Sequence, residues 1–296
     1  MKEIQWRNTM KKIGCSTMLY RNFSLKQALA GIQQAGGSAI ELCARSSVTG
    51  QITHLDLNRH DDVNDYYQKV KQTITNHNLL IESIAVSNQQ IAQPAELERL
   101  IEASHQLGTD TVVISSGGVS NSEESFLLFV DKINQASTIL TGSQIRLSVK
   151  PRVGRAVHDV ATAEQLMTKV DANWVGLNFD ATHIYRSHPH ADPVQALAEL
   201  QPHIFTVRIR DHQVSREPKV GPVETQIPGN GGLDLVGLAS IIKQMPNVSA
   251  AILEIVGTHK RPEMTFNTIQ EMVTTSTSYL KPLLWEYVAT PMTTII

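Results

Sequence analysis

Four charged residues end apolar runs in the second half of the 296-residue chain: Lys150, Asp180, Arg208 and Glu254. A carboxylate at the carboxyl end of a strand, on its less apolar face, is where α/β barrels place their chemistry. The four share one parity. In Trp174-Val-Gly-Leu-Asn-Phe-Asp180, apolar Val175, Leu177 and Phe179 alternate with Gly176, Asn178 and Asp180, as on a strand whose successive side chains point to opposite faces. Leu147 and Val149 likewise oppose Arg146, Ser148 and Lys150. Phe205, Val207 and Ile209 oppose Thr206, Arg208 and Arg210, and Ala251, Leu253 and Ile255 oppose Ala250, Ile252 and Glu254. With the apolar faces packed on helices, the four charges gather at one mouth of a barrel. An isolated buried charge is expensive, and their formal sum of zero predicts two ion pairs. Asp180 taken alone reads as the cap of a following helix, and His183 lies one turn on, close enough to share its site.

Eight short apolar runs supply the strands, at residues 13–15, 39–42, 80–86, 111–115, 145–150, 174–180, 205–210 and 250–255. Helical stretches alternate with them. Ser24-Leu-Lys-Gln27 has the capping-box spacing, and Gly36-Gly37 ends the helix it opens. Further helices are predicted over 63–77, from Pro94 to Gly108, from Asn121 or Ser122 through 140, over 162–170 and 235–243, and after Pro262. This alternation predicts a single (β/α)8 barrel spanning residues 1–296 as one domain, with its core over about 12–280. A doubly wound sheet is the alternative, but Gly14-Cys-Ser-Thr-Met lacks the glycine-rich phosphate turn it would usually carry. The loops 44–59 and 211–232 are the longest on the active face, where loops carry specificity or cover a ligand.

A hydrophobic fraction of 41% and a charged fraction of 18% fit a globular protein, and a net charge of −2 makes no electrostatic case for nucleic acid or an anionic membrane. No apolar run approaches the ~18 residues that cross a bilayer. The N-terminus lacks the apolar stretch of a signal peptide. Cys15 and Cys43 then read as reduced core thiols of a cytoplasmic protein. The tail 287–296 carries no motif; its apolar–polar mixture could pack under the barrel or mediate association, which leaves a homo-oligomer open.

Five stretches together resemble the xylose isomerase-like barrel superfamily, the sugar phosphate isomerase/epimerase group: Ala39-Ile-Glu-Leu42, Ala103-Ser-His-Gln-Leu-Gly108, Val175-Gly-Leu-Asn-Phe-Asp-Ala-Thr-His183, Pro228-Gly-Asn-Gly-Gly-Leu-Asp234 and Ile252-Leu-Glu-Ile255. The resemblance implies a divalent metal held by a Glu ending the fifth strand, an Asp ending the sixth, a His on the seventh and a Glu on the eighth. Asp180 and Glu254 match two of these positions, and His183 matches a substrate-contacting histidine. Lys150 stands where the family shows the glutamate, and Arg208 where it shows the histidine. Neither cation is a metal ligand. No cofactor is therefore expected beyond weak Mn or Mg at the residual pair Asp180 and Glu254.

The resemblance implies an isomerase or epimerase, with a lyase also open, working on a small anionic carbohydrate or hydroxy acid by proton transfer. Glu254, Lys150 and His183 are the candidate catalytic residues. Glu254 would serve as base, and Lys150 as second base or, with Arg208 and His183, as stabiliser of an enediolate. A Schiff base on Lys150 has nothing else in the sequence to support it. Arg208, Asp180, Glu41, Arg152 and Arg210 are the candidate substrate contacts. For Glu41 a surface-loop carboxylate is the competing reading, and Arg152, Arg155 and Arg210 otherwise face solvent or acidic neighbours. The remaining class is a catalytically silent barrel that binds a sugar-like ligand or a protein partner, Lys150 and Arg208 serving as structural ion pairs.

Overall fold

The computed structural model describes residues 4–44, 53–58, 62–215, 217, 219–261 and 263–291. A first strand, β1 (Ile4–Met10), lies outside the barrel. Eight parallel strands then close on themselves: β2 (Lys12–Ser16), β3 (Ala39–Cys43), β4 (Leu80–Ala85), β5 (Thr111–Ser115), β6 (Arg146–Lys150), β7 (Val175–Asp180), β8 (Ile204–Ile209) and β9 (Ala250–Leu253). The ring shuts where β9 pairs with β2 through Ala251 opposite Ile13. The last strand, β10 (Trp285–Pro291), returns to pair antiparallel with β1. The part of the tail over 287–291 is thus half of a terminal ribbon, and 292–296 lie outside the described residues, as do 45–52 and 59 of the first long loop.

The helices are α1 (Leu25–Gln34), α2 (Val63–Thr75), α3 (Pro94–Leu107), α4 (Glu123–Gly142), α5 (Val160–Met167), α6 (Ala181–Ser187), α7 (Pro193–Leu200), α8 (Leu235–Ile242) and α9 (Phe266–Leu283). Local chemistry sets their ends. Ser24 and Gln27 form the predicted reciprocal cap of α1, and Gly108, at φ 79°, closes α3 in the left-handed conformation that glycine adopts without penalty. Between β7 and β8, α6 is the helix that Asp180 caps, and α7 has no counterpart among the sequence-based expectations. Among the described residues no helix is long and apolar enough to cross a membrane.

Parity works as the alternation requires. Leu147, Val149, Leu177, Phe179, Val207, Ile209, Ala251 and Leu253 belong to the large apolar core shared with the helices. Inside the barrel, Ala39, Ala250 and Ile252 form a small separate plug, and the Ser148 and Thr206 hydroxyls share a 2.7 Å hydrogen bond. The register then levels the charged residues: Lys150 lies opposite Ser115, Asp180 opposite Arg208, and Glu41 opposite Ser16. Two irregularities break this regularity. Between Ile40 and Glu41 the β3–β4 register slips past Glu82, and between Leu177 and Asn178 the β7–β8 register slips past Phe205.

Gly176 marks a close approach that any side chain would obstruct. A Cβ there would lie 2.7 Å from the His203 carbonyl oxygen and 2.6 Å from the Phe205 ring. Gly176→Ala is expected to cost about 1–3 kcal/mol of stability. The denaturant midpoint should fall with its slope unchanged; a midpoint equal to that of the parent protein would contradict this packing.

Candidate functional site

Each charged residue at the carboxyl ends of β6 to β9 is buried and engaged. The Lys150 ammonium pairs with Glu254 and lies 4.0 Å from Asp180 Oδ2. Arg210, just past β8, donates from Nη2 to Asp180 Oδ2 at 3.1 Å and from Nη1 to Gln226 Oε1 at 3.0 Å. Asp180 also caps α6, accepting from the Thr182 amide at 3.0 Å and the Thr182 hydroxyl at 2.7 Å. The capping and site readings of Asp180 therefore hold together, one on each carboxylate oxygen. Burial alone would raise its carboxyl; Arg210 and Lys150 outweigh that and hold it far below the usual range.

Arg208 departs from the expected two-pair arrangement. Its nearest acidic partner is Glu41, whose Oε2 accepts from Nε at 2.9 Å and from Nη2 at 2.5 Å, while Glu254 is 4.0 Å away. Nη1 reaches Glu82 Oε1 at 3.3 Å, and Nη2 also donates to Ser83 Oγ at 3.0 Å. Ser16 Oγ occupies the other Glu41 oxygen at 2.7 Å. Glu41 is consequently a buried structural carboxylate, neither a surface-loop residue nor part of the cavity lining. Adjacent residues of a regular strand point apart; the slip at Glu82 lets both Glu82 and Ser83 reach one guanidinium. Burial, reinforced by Glu41, pushes the Glu82 carboxyl up against the opposing pull of Arg208 and Ser83.

A cavity of about 730 Å³ opens above this network. Lys150, Arg152, His183, Arg210 and Glu254 line it, whereas Asp180, Arg208 and Glu41 do not. Arg152 is exposed at the rim, and Arg155 is exposed without lining it. A second cavity, of about 630 Å³, lies at the amino ends of the strands near Thr111 and Arg146, away from the charged mouth. His188 and His190 are exposed, and Cys15 and Cys43 are buried and form no disulfide.

His183 has a defined orientation. Arg186 Nη2 lies 2.9 Å from its Nδ1, and Arg186 Nε is fixed on the Thr182 carbonyl at 3.0 Å. A guanidinium only donates, so Nδ1 accepts and the imidazole proton resides on Nε2, 3.8 Å from Asp180 Oδ2. Burial, then Arg210 and Arg186, keep the ring neutral by holding its pKa well below the ordinary value. Asp211 anchors the following loop. Its Oδ1 accepts from the His212 and Leu233 amides at 2.8 and 3.0 Å, and its Oδ2 from Gly229 and Gly231, both at 3.0 Å. Sequence reasoning assigned no role to Glu82, Arg186, Asp211 or Gln226. Only Asp211, beside the Arg208–Arg210 run, stood where a signal was visible.

The four positions at which the resemblance implies metal ligands hold Lys150, Asp180, Arg208 and Glu254, and only the two carboxylates can donate to an ion. Both already face cations, and among the described residues no group of three or more His, Cys, Asp or Glu side chains could hold a metal. The donor set does not fit a divalent ion.

A sequence profile described as xylose isomerase-like TIM barrel matches residues 29–273. Among curated proteins none matches the chain by sequence. Among solved structures, the probable 3-DHS dehydratase AsbF, involved in petrobactin synthesis, from Bacillus anthracis is similar with a TM-score of 0.72 at 16% identity, covering 91% of this chain and 98% of that one. The D-psicose 3-epimerase of Clostridium cellulolyticum H10 gives a TM-score of 0.71 at 9% identity over 92% and 99% of the two chains. An IOLI protein with a bound zinc atom gives 0.69 at 17% identity over 92% and 98%. At these identities the likeness is one of fold.

Two outcomes follow from the geometry. Imidazole nitrogen NMR should find His183 neutral with its proton on Nε2 between about pH 6 and 8; a titration near the ordinary value of about 6.5 would contradict the Arg186 contact. Arg208→Met, which strands Glu41 and Glu82, should cost about 3–5 kcal/mol. That loss should grow as pH rises, because the stranded carboxyls keep protons in the folded state that the unfolded chain releases.

Proposed function

Because the chain belongs to the xylose isomerase-like TIM barrel family, we propose that it is an isomerase or epimerase acting on a small anionic carbohydrate or hydroxy acid by proton transfer, without a metal ion. The observation that carries this reading is the Lys150–Glu254 pair, an acid and a base in contact on the lining of the cavity, with His183 on the same lining. A proton on carbon next to a carbonyl becomes removable when the resulting enediolate is stabilised. Glu254 takes that proton. The Lys150 ammonium and the Nε2–H of His183 face the developing oxyanion, doing by fixed charge and hydrogen bonding what a metal ion does as a Lewis acid. Return of the proton from Glu254 to the neighbouring carbon isomerises the substrate, whereas inversion of the centre takes a proton delivered to the opposite face by a second acid, the role left to Lys150. Expulsion of a β-hydroxyl would instead give dehydration. The names of the similar structures, a probable dehydratase and a 3-epimerase, are in keeping with this chemistry.

The missing donors at positions 150 and 208 support the metal-free part of the proposal. The competing reading, a barrel that binds a sugar-like ligand without turning it over, rests on the same pair, since Lys150 and Glu254 also neutralise each other as a structural contact would.

The test is a panel of sugar phosphates, sugar acids and neutral sugars incubated with the protein in deuterated buffer containing a chelator. Incorporation of deuterium at carbon is expected for an anionic member of the panel. Glu254→Gln should reduce the rate about 10²–10⁴-fold, the usual contribution of a positioned base. Turnover that requires added Mn or Mg would overturn the metal-free reading. Binding without exchange would favour the silent barrel.

A further inference from the structure

The floor of the cavity and one side of its rim differ in charge balance. On the floor, Lys150 faces Glu254, and Arg210 faces Asp180. Arg21, Arg152, Lys260 and Arg261 add four more cations to the lining, and Glu254 is its one acid among the described residues. Arg261 is offset by Glu224 at 2.6 Å. For Arg21 and Lys260 no carboxylate among the described residues lies within ion-pairing distance. The Arg21 Nε is shielded from solvent and meets no hydrogen-bond acceptor, a state that costs free energy until an acceptor arrives.

These two residues are brought together by the fold. Arg21 follows the short 3-10 turn Thr17–Tyr20 after β2, and Lys260 ends the turn Thr258–Lys260 after β9. Strands β2 and β9 are neighbours, and the Thr258 hydroxyl donates to the Leu19 carbonyl at 3.1 Å, fastening one turn to the other. Lys150 and Arg152 rise from β6, on the opposite side of the ring. A ligand with its reacting carbon above the Lys150–Glu254 pair would extend toward the Arg21–Lys260 side.

We propose that Arg21 and Lys260 form an oxyanion subsite for the phosphate tail of a phosphorylated substrate, whose reacting end is an uncharged hydroxy-carbonyl group. A guanidinium offers paired donors that match phosphate oxygens, and the ammonium adds a second positive centre. The balanced floor favours a neutral head, because an anion there would compete with Glu254 for Lys150. The inference rests on reading this cavity as the substrate site.

The subsite is tested by calorimetric titration of the full chain with inorganic phosphate, with sulfate as competitor. Arg21→Gln combined with Lys260→Gln should weaken phosphate binding about tenfold or more, the loss expected from two charge-assisted contacts. Arg155→Gln, an exposed site off the cavity, should leave phosphate binding intact. Neither altered residue makes an ion pair among the described residues, so the double variant should melt with the parent. A carboxylate-tailed sugar acid in a parallel titration separates phosphate from carboxylate preference. No phosphate binding, binding unchanged in the double variant, or tighter binding of the sugar acid would overturn the proposal. Because phosphate binding is read without turnover, a protein that turns over nothing yet binds phosphate through Arg21 and Lys260 would sink the enzymatic reading and leave the subsite standing.

Discussion

Charge pairing inside a closed barrel is the constraint on which this structure depends. Lys150, Arg208, Arg210, Glu41, Glu82, Asp180 and Glu254 are all buried at or below one mouth. Removing an ion from water costs several kcal/mol even after relaxation, and only well-placed opposite charges and hydrogen bonds offset it. Each of the seven has such a partner. The Arg208 guanidinium joins β8 to β3 and β4 across the interior, and the Lys150 ammonium joins β6 to β9. The same contacts that make the buried charges tolerable therefore hold opposite sides of the barrel in register.

Positioning follows from that network. Asp180 spends one oxygen on the amino end of α6 and the other on Arg210, and so fixes the turn that carries His183 and Arg186. Arg210 passes the constraint on to Gln226, whose side chain holds the Val256 amide at 2.9 Å and its carbonyl at 3.0 Å. Asp211 gathers four amides of the next loop. The cavity wall is thus built from segments tied to the charged floor. The Lys150 and Arg210 side chains supply positive charge at this mouth and also bear on the fold.

The closed barrel and the gathering of Lys150, Asp180, Arg208 and Glu254 were legible because each lies on a strand with clean alternation. Period-two patterning fixes which face a residue joins, and eight such strands leave little freedom in how the ring closes. Pairing was not legible. Arg208 turns to Glu41 and Glu82 because a register slip on β4, which no alternation records, brings adjacent residues to bear on one guanidinium. The Arg186–His183 contact is local to α6, which the sequence marks through its Asp180 cap without indicating which side chains meet on it. The β1–β10 ribbon joins the two ends of the chain, a long-range pairing without a motif in either strand.

Fixed cations standing in for a metal ion is the central claim, and the most direct measurement is the metal content of the purified, dialysed protein by elemental analysis. Of the four positions at which the resemblance implies ligands, only those of Asp180 and Glu254 can donate to an ion, and Lys150 faces both carboxylates. The account predicts well under one equivalent of any divalent metal. A full equivalent that survives dialysis and is lost in the Asp180→Asn or Glu254→Gln variants would contradict it.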